Sequence, residues 1–495
     1  VFMNVENDYI KLIFGLKLKQ ARTNKNLSLF GLAKITDLSK SYLNEIEKGK
    51  KYPKTDKIIL LSEKLDVSYD SMVSLKLDNN LAPIGEILKS GILKEIPLDL
   101  FGIQENDLID IIANAPAKVN AFISTIIEIA QHYNLTRESF FLASLRSYQE
   151  AHNNYFEDLE EKVLKFSKAF HVDIESGISL DELRAILIEE YGYTIKEIVF
   201  SEEEELGDLR SIFVQKSKTL LLSEGIDQSQ KAFILAKEIA YNYLEIKERL
   251  YTFSWIKFDN FDQVLNNFYA SYFAGALLLP RRRLIKELDL FLSNPEPTAQ
   301  GMIDLIGRFN VSPESFYQRL TNILPKDFQI KNLFFLRMSH KAGTDTYQIK
   351  KELHITNQQE PHANEMNEHY CRRWVSIKTI AESMAQNKAH FFDAQISQYE
   401  NTTNEYLVFS SATPDPFKKG YLRSMSVGIL ITSGMKKKFK FIDNPSMKKQ
   451  LVGVTCETCS VQNCQERASA PIHLEQKRRN ENTDSLVQQY MEKYS

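Results

Sequence analysis

Three cysteines, Cys456, Cys459 and Cys464, fall within nine residues in the spacing Cys-x2-Cys-x4-Cys, and a fourth, Cys371, lies upstream. Thiols this close in sequence can converge on one soft metal centre, with Cys371 arriving across the fold as a fourth ligand. The chemistry implied is a 4Fe-4S cluster or, alternatively, zinc, which the spacing does not separate. Buried thiols carrying no metal are the plainer alternative. Four cysteines in 495 residues exclude a disulfide scaffold.

A second chemistry is written in charge. The whole chain carries a formal net charge of -3, yet residues 11–57 hold twelve basic residues against four acids, a local charge of +8, which leaves about -11 for the rest. A basic module on an acidic body fits a polyanion met at one place rather than everywhere. The elements that present this charge read as short helices. Ser28 can cap a helix carrying Leu29, Leu32 and Ala33, residues 36–39 make a tight connection, and Ser39 can cap a helix with Tyr42, Leu43 and Ile46 inward. Gly49 follows as a stop, and a further helix is expected over residues 55–65. Two short helices joined by such a turn form the helix-turn-helix unit, whose second helix enters the major groove.

These residues resemble the Cro/repressor-like (XRE) family on Arg22, the Ser28-started helix and Ile46-Glu47-Lys48-Gly49-Lys50-Lys51-Tyr52-Pro53. Asp37 stands where many members place Gly, and Asp tolerates the left-handed backbone at some cost. The resemblance implies a double-stranded DNA operator as partner. Lys40, Ser41 and Asn44 would face base edges, with Ser39 at the head of their helix, while Tyr42, Lys48, Lys50 and Lys51 would meet phosphates. A small helical bundle that docks protein is the plainer alternative.

Residues 75–160 carry a helical pattern without chemistry and are assigned to spacing or dimerisation. Residues 194–200, 209–214 and 219–222 are strand-like, with Lys216 and Ser217 at a turn, and a long helix follows from Asp227, with Gln230 three residues on. With Phe273-Ala274-Gly275-Ala276-Leu277-Leu278-Leu279-Pro280, this arrangement resembles a metallopeptidase-like domain. Hydrolytic members carry H-E-x-x-H, in which two histidines one turn apart grip zinc and the glutamate activates water. Here those positions read Lys237-Glu238-Ile239-Ala240-Tyr241, and Tyr269 is assigned to the downstream acidic ligand's place. No peptidase activity is expected and no catalytic residue is assigned. Lys237, Tyr241 and Tyr269 are left as the floor of a cleft for an anionic or amphipathic small molecule, or as tyrosines that simply pack.

Cys371-Arg372-Arg373-Trp374, strand-rich residues 406–409 and 423–431, and the run from Gly453 to Ala468 that holds the cysteine triplet resemble the C-terminal domain of short-chain fatty acyl regulators. Arg308-Phe309-Asn310-Val311-Ser312 and Gln318-Arg319-Leu320 fit that family's bridge between its last two domains. Thr458, Val461 and Gln465 replace prolines common there, and Asn463 replaces an aspartate. The resemblance covers almost the whole chain and implies a transcription regulator answering to a short-chain acyl-CoA-type metabolite, to redox or metal state, or to both.

The expected fold is multidomain, mainly α with α+β. An all-α helix-turn-helix bundle occupies residues 1–75, a helical linker or dimerisation region 76–160, a degenerate zincin-like α+β sensor domain 161–325, an α+β cysteine-bearing domain 326–473 and a charged tail 474–495. A homodimer is expected, its recognition helices meeting half-sites about one helical turn, ~34 Å, apart. The first residues lack a basic lead into an apolar run and no segment reaches a membrane span, so the expected location is cytoplasmic, without a membrane partner. Two readings of other classes stand beside this one: a metallopeptidase-like protein acting on a partner repressor, and a stress adaptor that does not bind DNA.

Overall fold

A computed structural model describes residues 3–74, 137–200, 209–251, 260–355, 369–400, 402–416 and 418–494. These fall into two compact units, Val1–Ser144 and Leu145–Ser495. Most of the region assigned to spacing or dimerisation, residues 76–136, lies outside the described residues.

In the first unit the described chain forms α1 (Met3–Asn24), α2 (Leu29–Thr36), α3 (Lys40–Glu47), α4 (Thr55–Leu65) and α5 (Tyr69–Val73). Ser28 accepts a hydrogen bond from the Gly31 amide at 3.0 Å, and Ser39 accepts one from the Tyr42 amide at 3.1 Å, so both expected caps form. Asp37 ends α2 in the left-handed region, at φ 53°, and Gly49 follows α3 at φ 67°. Phe14, Leu18, Leu32, Leu43, Ile46 and Leu61 make the core of the bundle. α1 runs longer than the short helices expected, and its one glycine, Gly15, sits against the backbone of α3. A Cβ at Gly15 would lie 2.3 Å from the Ile46 carbonyl oxygen, so glycine allows the two backbones to touch.

The helix α6 (Arg137–Ala151) spans the division between units. In the second unit, α7 (Glu157–Ala169) and α8 (Leu180–Ala185) precede a three-stranded sheet of β1 (Thr194–Ile198), β2 (Ser211–Val214) and β3 (Thr219–Ser223). β3 lies in the middle, parallel to β1 and antiparallel to β2. α9 (Gln228–Tyr243) begins with the expected capping box between Asp227 and Gln230 and packs on α10 (Phe261–Leu278). α11 (Arg281–Ser293), α12 (Ala299–Gly307) and α13 (Pro313–Asp327) lead to β4 (Leu333–Lys341) and β5 (Tyr347–Ile355). After them come α14 (Val375–Ala385), β6 (Phe391–Tyr399), β7 (Glu405–Pro414), β8 (Tyr421–Leu430), α15 (Ser433–Lys438), β9 (Lys449–Val452) and α16 (Ile472–Tyr494).

β4 to β9 form one sheet in the order β5-β4-β8-β7-β6-β9, antiparallel except for the β6/β9 pair. Side chains alternate across it as a pleated strand requires. Leu333, Phe335, Leu407, Phe409, Val427 and Ile429 face a core shared with the helices from α7 to α13, while Phe334, Leu336, Tyr406 and Val408 face α14 and Trp374. Gly428 admits the Phe334 ring, which would lie 2.2 Å from an added Cβ. Arg319, in the bridge segment, is fully buried on α13 and grips both oxygens of Glu160 on α7 at 2.6 and 2.9 Å. The Tyr272 hydroxyl donates to the same carboxylate at 2.9 Å, so one satisfied ionic cluster ties three helices together. The tail expected to be merely charged is the helix α16, with Leu486, Val487, Tyr490, Met491 and Tyr494 exposed along it.

Candidate functional site: an exposed reading helix on a buried ionic clamp

α3 is built to expose one side. Leu43 and Ile46 are fully buried, whereas Ser39, Lys40, Ser41, Asn44, Lys48, Lys50 and Lys51 are exposed. Lys40, Ser41, Asn44 and Lys48 recur at one-turn spacing, so they share a surface that no described residue of the bundle covers. Tyr42 is half-buried against the bundle's core, and the Lys51 ammonium sits 5.2 Å from its ring centroid. The tyrosine therefore carries Lys51 as well as offering its own hydroxyl at the rim.

Beneath this surface, Arg22 meets Glu47 through Nε at 2.6 Å and Nη2 at 2.9 Å and donates to the Leu27 carbonyl at 2.8 Å. The fork fixes the end of α3 against α1 and the α1-α2 turn. It also removes Arg22 from the charges available to a polyanion. Lys17 is likewise engaged, donating to the carbonyls of Ser71 and Ser74 at the end of α5. The basic window is thus narrower than its count of residues, and its exposed members cluster on α3 and the segment after it.

In the second unit, Lys237 and Tyr241 lie one turn apart on α9, as the H-E-x-x-H spacing demands, and both are buried. The group facing them is Asn267 on α10, whose Oδ1 accepts from Lys237 Nζ at 2.5 Å and from the Tyr241 hydroxyl at 3.3 Å. Tyr269 is not part of this floor, contrary to expectation. It lies two residues further on, about 200° round the helix, and its hydroxyl pairs with that of Tyr148 at 2.9 Å. The position opposite α9 is therefore an amide. Burial pushes the Lys237 ammonium down to about 7, helped by the neighbouring cations Arg249, Lys351 and Arg210 and opposed by Glu238.

Glu238 is not Lys237's close partner. Arg249 Nη2 reaches both its oxygens at 2.6 Å, and the Tyr193 hydroxyl donates to it at 3.0 Å. A carboxylate neutralised in this way is no free base for water, and lysine, tyrosine and asparagine make no zinc site. At the H-E-x-x-H positions of α9 the described residues do not supply a metallopeptidase's zinc ligands. A cavity of about 330 Å³ in this unit is lined by Glu157, Glu161, Leu164, Ile174, Arg281 and Arg282 among others, and none of Lys237, Tyr241 and Tyr269 lines it.

The cysteine loop packs beside Trp374. Cys371 Sγ accepts from the Gly453 amide at 3.4 Å, and a Cβ on Gly453 would stand 2.9 Å from Cys459 Sγ, so these two thiols flank one glycine. Cys371 also feels Cys456, and all three are buried, whereas Cys464 is only half-buried. Burial pushes the Cys371 thiol up to about 11 and raises that of Cys459. Residues that sequence spacing did not single out hold the loop. Arg467 donates to the carbonyls of Cys456, Cys459 and Val461, Glu457 pairs with His369 at 2.8 Å, and Glu400 accepts from the amide and hydroxyl of Ser460. Among the described residues no group of three or more His, Cys, Asp or Glu is set to hold a metal ion.

Comparison with known proteins follows the same division. Residues 18–71 match the family described as Helix-turn-helix, and residues 191–321 match the IrrE N-terminal-like domain of the M78 peptidases. Over 94% of this chain and 93% of the relative, the sequence is 22% identical to the HTH-type transcriptional regulator PrpR of Mycobacterium tuberculosis. A solved structure described as a Mycobacterium tuberculosis transcriptional regulator aligns with a TM-score of 0.45 and 18% identity, covering 66% of this chain and 92% of that one. The chain thus joins a helix-turn-helix region to a peptidase-like region.

Proposed function

We propose that this chain is a sequence-specific DNA-binding transcription regulator that works as a homodimer, its α3 reading the operator and the residues beyond 145 sensing a small molecule. The observation that carries the reading is the exposed face of α3, where Lys40, Ser41 and Asn44 stand together with Lys48, Lys50 and Lys51 around them. Asn can pair in bidentate fashion with adenine and Lys can donate to guanine, while the outer lysines suit phosphates. The helix-turn-helix match and the similarity to a named transcriptional regulator over nearly the whole chain support it.

Base contacts of this kind are worth ~1–3 kcal/mol each, so Lys40→Ala with Asn44→Ala should cost at least tenfold in preference for the operator over random DNA. Lys50→Ala should weaken all sequences alike and reduce the salt slope by about one. Gel-shift titrations against salt read both effects, and unchanged selectivity in the double variant would reject the assignment.

The effector in this reading is a short-chain acyl-CoA-type metabolite, supported by the resemblance of the C-terminal domain to short-chain fatty acyl regulators. Redox or metal sensing enters through Cys371, Cys456, Cys459 and Cys464, supported by the common neighbourhood of the first three. Anaerobically purified protein tests it: charge-transfer absorbance in the visible, lost in Cys459→Ser, supports a cluster. Colourless, metal-free protein with full DNA binding rejects the metal.

A further inference from the structure

The sheet places three cations on one face of three adjacent strands. Arg337 on β4 stands directly opposite Lys351 on β5, and Arg423 on β8 stands opposite Ser339, two residues along β4 from Arg337. Side chains paired across strands point the same way, as do those two residues apart, so Arg337, Lys351 and Arg423 share a face. Like charges directly opposite in a sheet are destabilising. A register shift in the β4/β5 pairing falls immediately after Arg337.

One carboxylate answers all three. Glu314, in the first turn of α13, accepts from Arg337 at 3.1 and 3.3 Å, lies 3.7 Å from Arg423, and also takes a bond from Gln318 at 3.0 Å. Burial alone would push its carboxyl up, but Arg337, Lys351, Arg423 and Arg210 together hold it down at about 2. Among the described residues Lys351 makes no ion pair within 4.0 Å. Its side chain reaches solvent, yet desolvation, the largest effect, lowers it to about 8. Arg210 and Asp415, which also feel one another there, offset in charge.

Among the described residues, three cations against Glu314 leave two positive charges on this face of the sheet, at the N-terminal end of a fifteen-residue helix. We propose that Arg337, Lys351 and Arg423 form a binding site for a phosphate group, carried by inorganic pyrophosphate or by a phosphate ester. The charge of a phosphate monoester at neutral pH, about -1.5 to -2, matches the excess. Two guanidinium forks and a point-like ammonium suit its oxygens. The proposal rests on the sensing role given above to the second unit, and it is tested without DNA, so that it and the regulator reading fail separately.

Isothermal titration of the full chain with pyrophosphate and with adenosine monophosphate, at low salt and pH 7, is the test. Binding of pyrophosphate points to an inorganic source, and binding of the nucleotide alone points to an ester. In either case Lys351→Gln, a change at an accessible side chain that leaves the fold intact, should weaken binding at least tenfold, and Lys477→Gln on α16 should leave it unchanged. No heat with either probe, or equal affinity in Lys351→Gln and the parent, overturns the proposal.

Discussion

Asn44 and Lys40 stand exposed on α3 because Leu43 and Ile46, their neighbours, are buried and Glu47 is locked to Arg22. The caps at Ser28 and Ser39 were legible because a cap is a local contract between a hydroxyl and an amide three residues on. Arg22 and Glu47 are 25 residues apart, and Arg22 was legible only as part of a family signature. Tyr269 was misplaced because helical phase decides which side chain faces a neighbour, and two residues amount to more than half a turn. A residue-scale prediction follows from Glu314. Its folded carboxyl sits near 2, below its ordinary 4.5, so its stabilisation is complete above pH 4.5 and is lost as pH falls toward 2. Glu314→Gln should be less stable than the parent at pH 7, where its cations lose their partner. The gap in urea midpoint should close as pH falls from 4.5 to 2.5, and a gap independent of pH would contradict the assignment.

At the scale of elements, α9 was readable from Asp227 and Gln230 together with its apolar repeat, and β1 to β3 from short strand-like runs, the last two divided by a turn at Lys216 and Ser217. The six-stranded sheet was only half visible, through the segments that became β7 and β8. Its order needs partners such as Leu333 and Ile429, nearly a hundred residues apart, and no local pattern specifies them. α1 and α3 pack closely through Gly15, which a sequence alone marks as a weakness in a helix. Gly15→Ala, which by helix propensity alone should stabilise, is expected instead to cost ~1–3 kcal/mol, because the added Cβ overlaps the Ile46 carbonyl. Denaturant unfolding of the variant measures it, and a gain in stability would mean that the contact is not as close as described.

At the scale of the molecule, the described residues divide once, after Ser144, and the peptidase-like and cysteine-bearing regions share one continuous core within Leu145–Ser495. That sharing was not legible, because motifs mark the surfaces where chemistry happens and say little about which faces pack together. It makes the second unit one body with a continuous apolar core. No described helix is long and apolar enough to cross a membrane. The central question is whether the first unit reads DNA sequence. Selection of bound DNA from a random pool with the full chain is expected to enrich one motif, repeated as two half-sites ~10 base pairs apart centre to centre. A pool that returns without an enriched motif would contradict it.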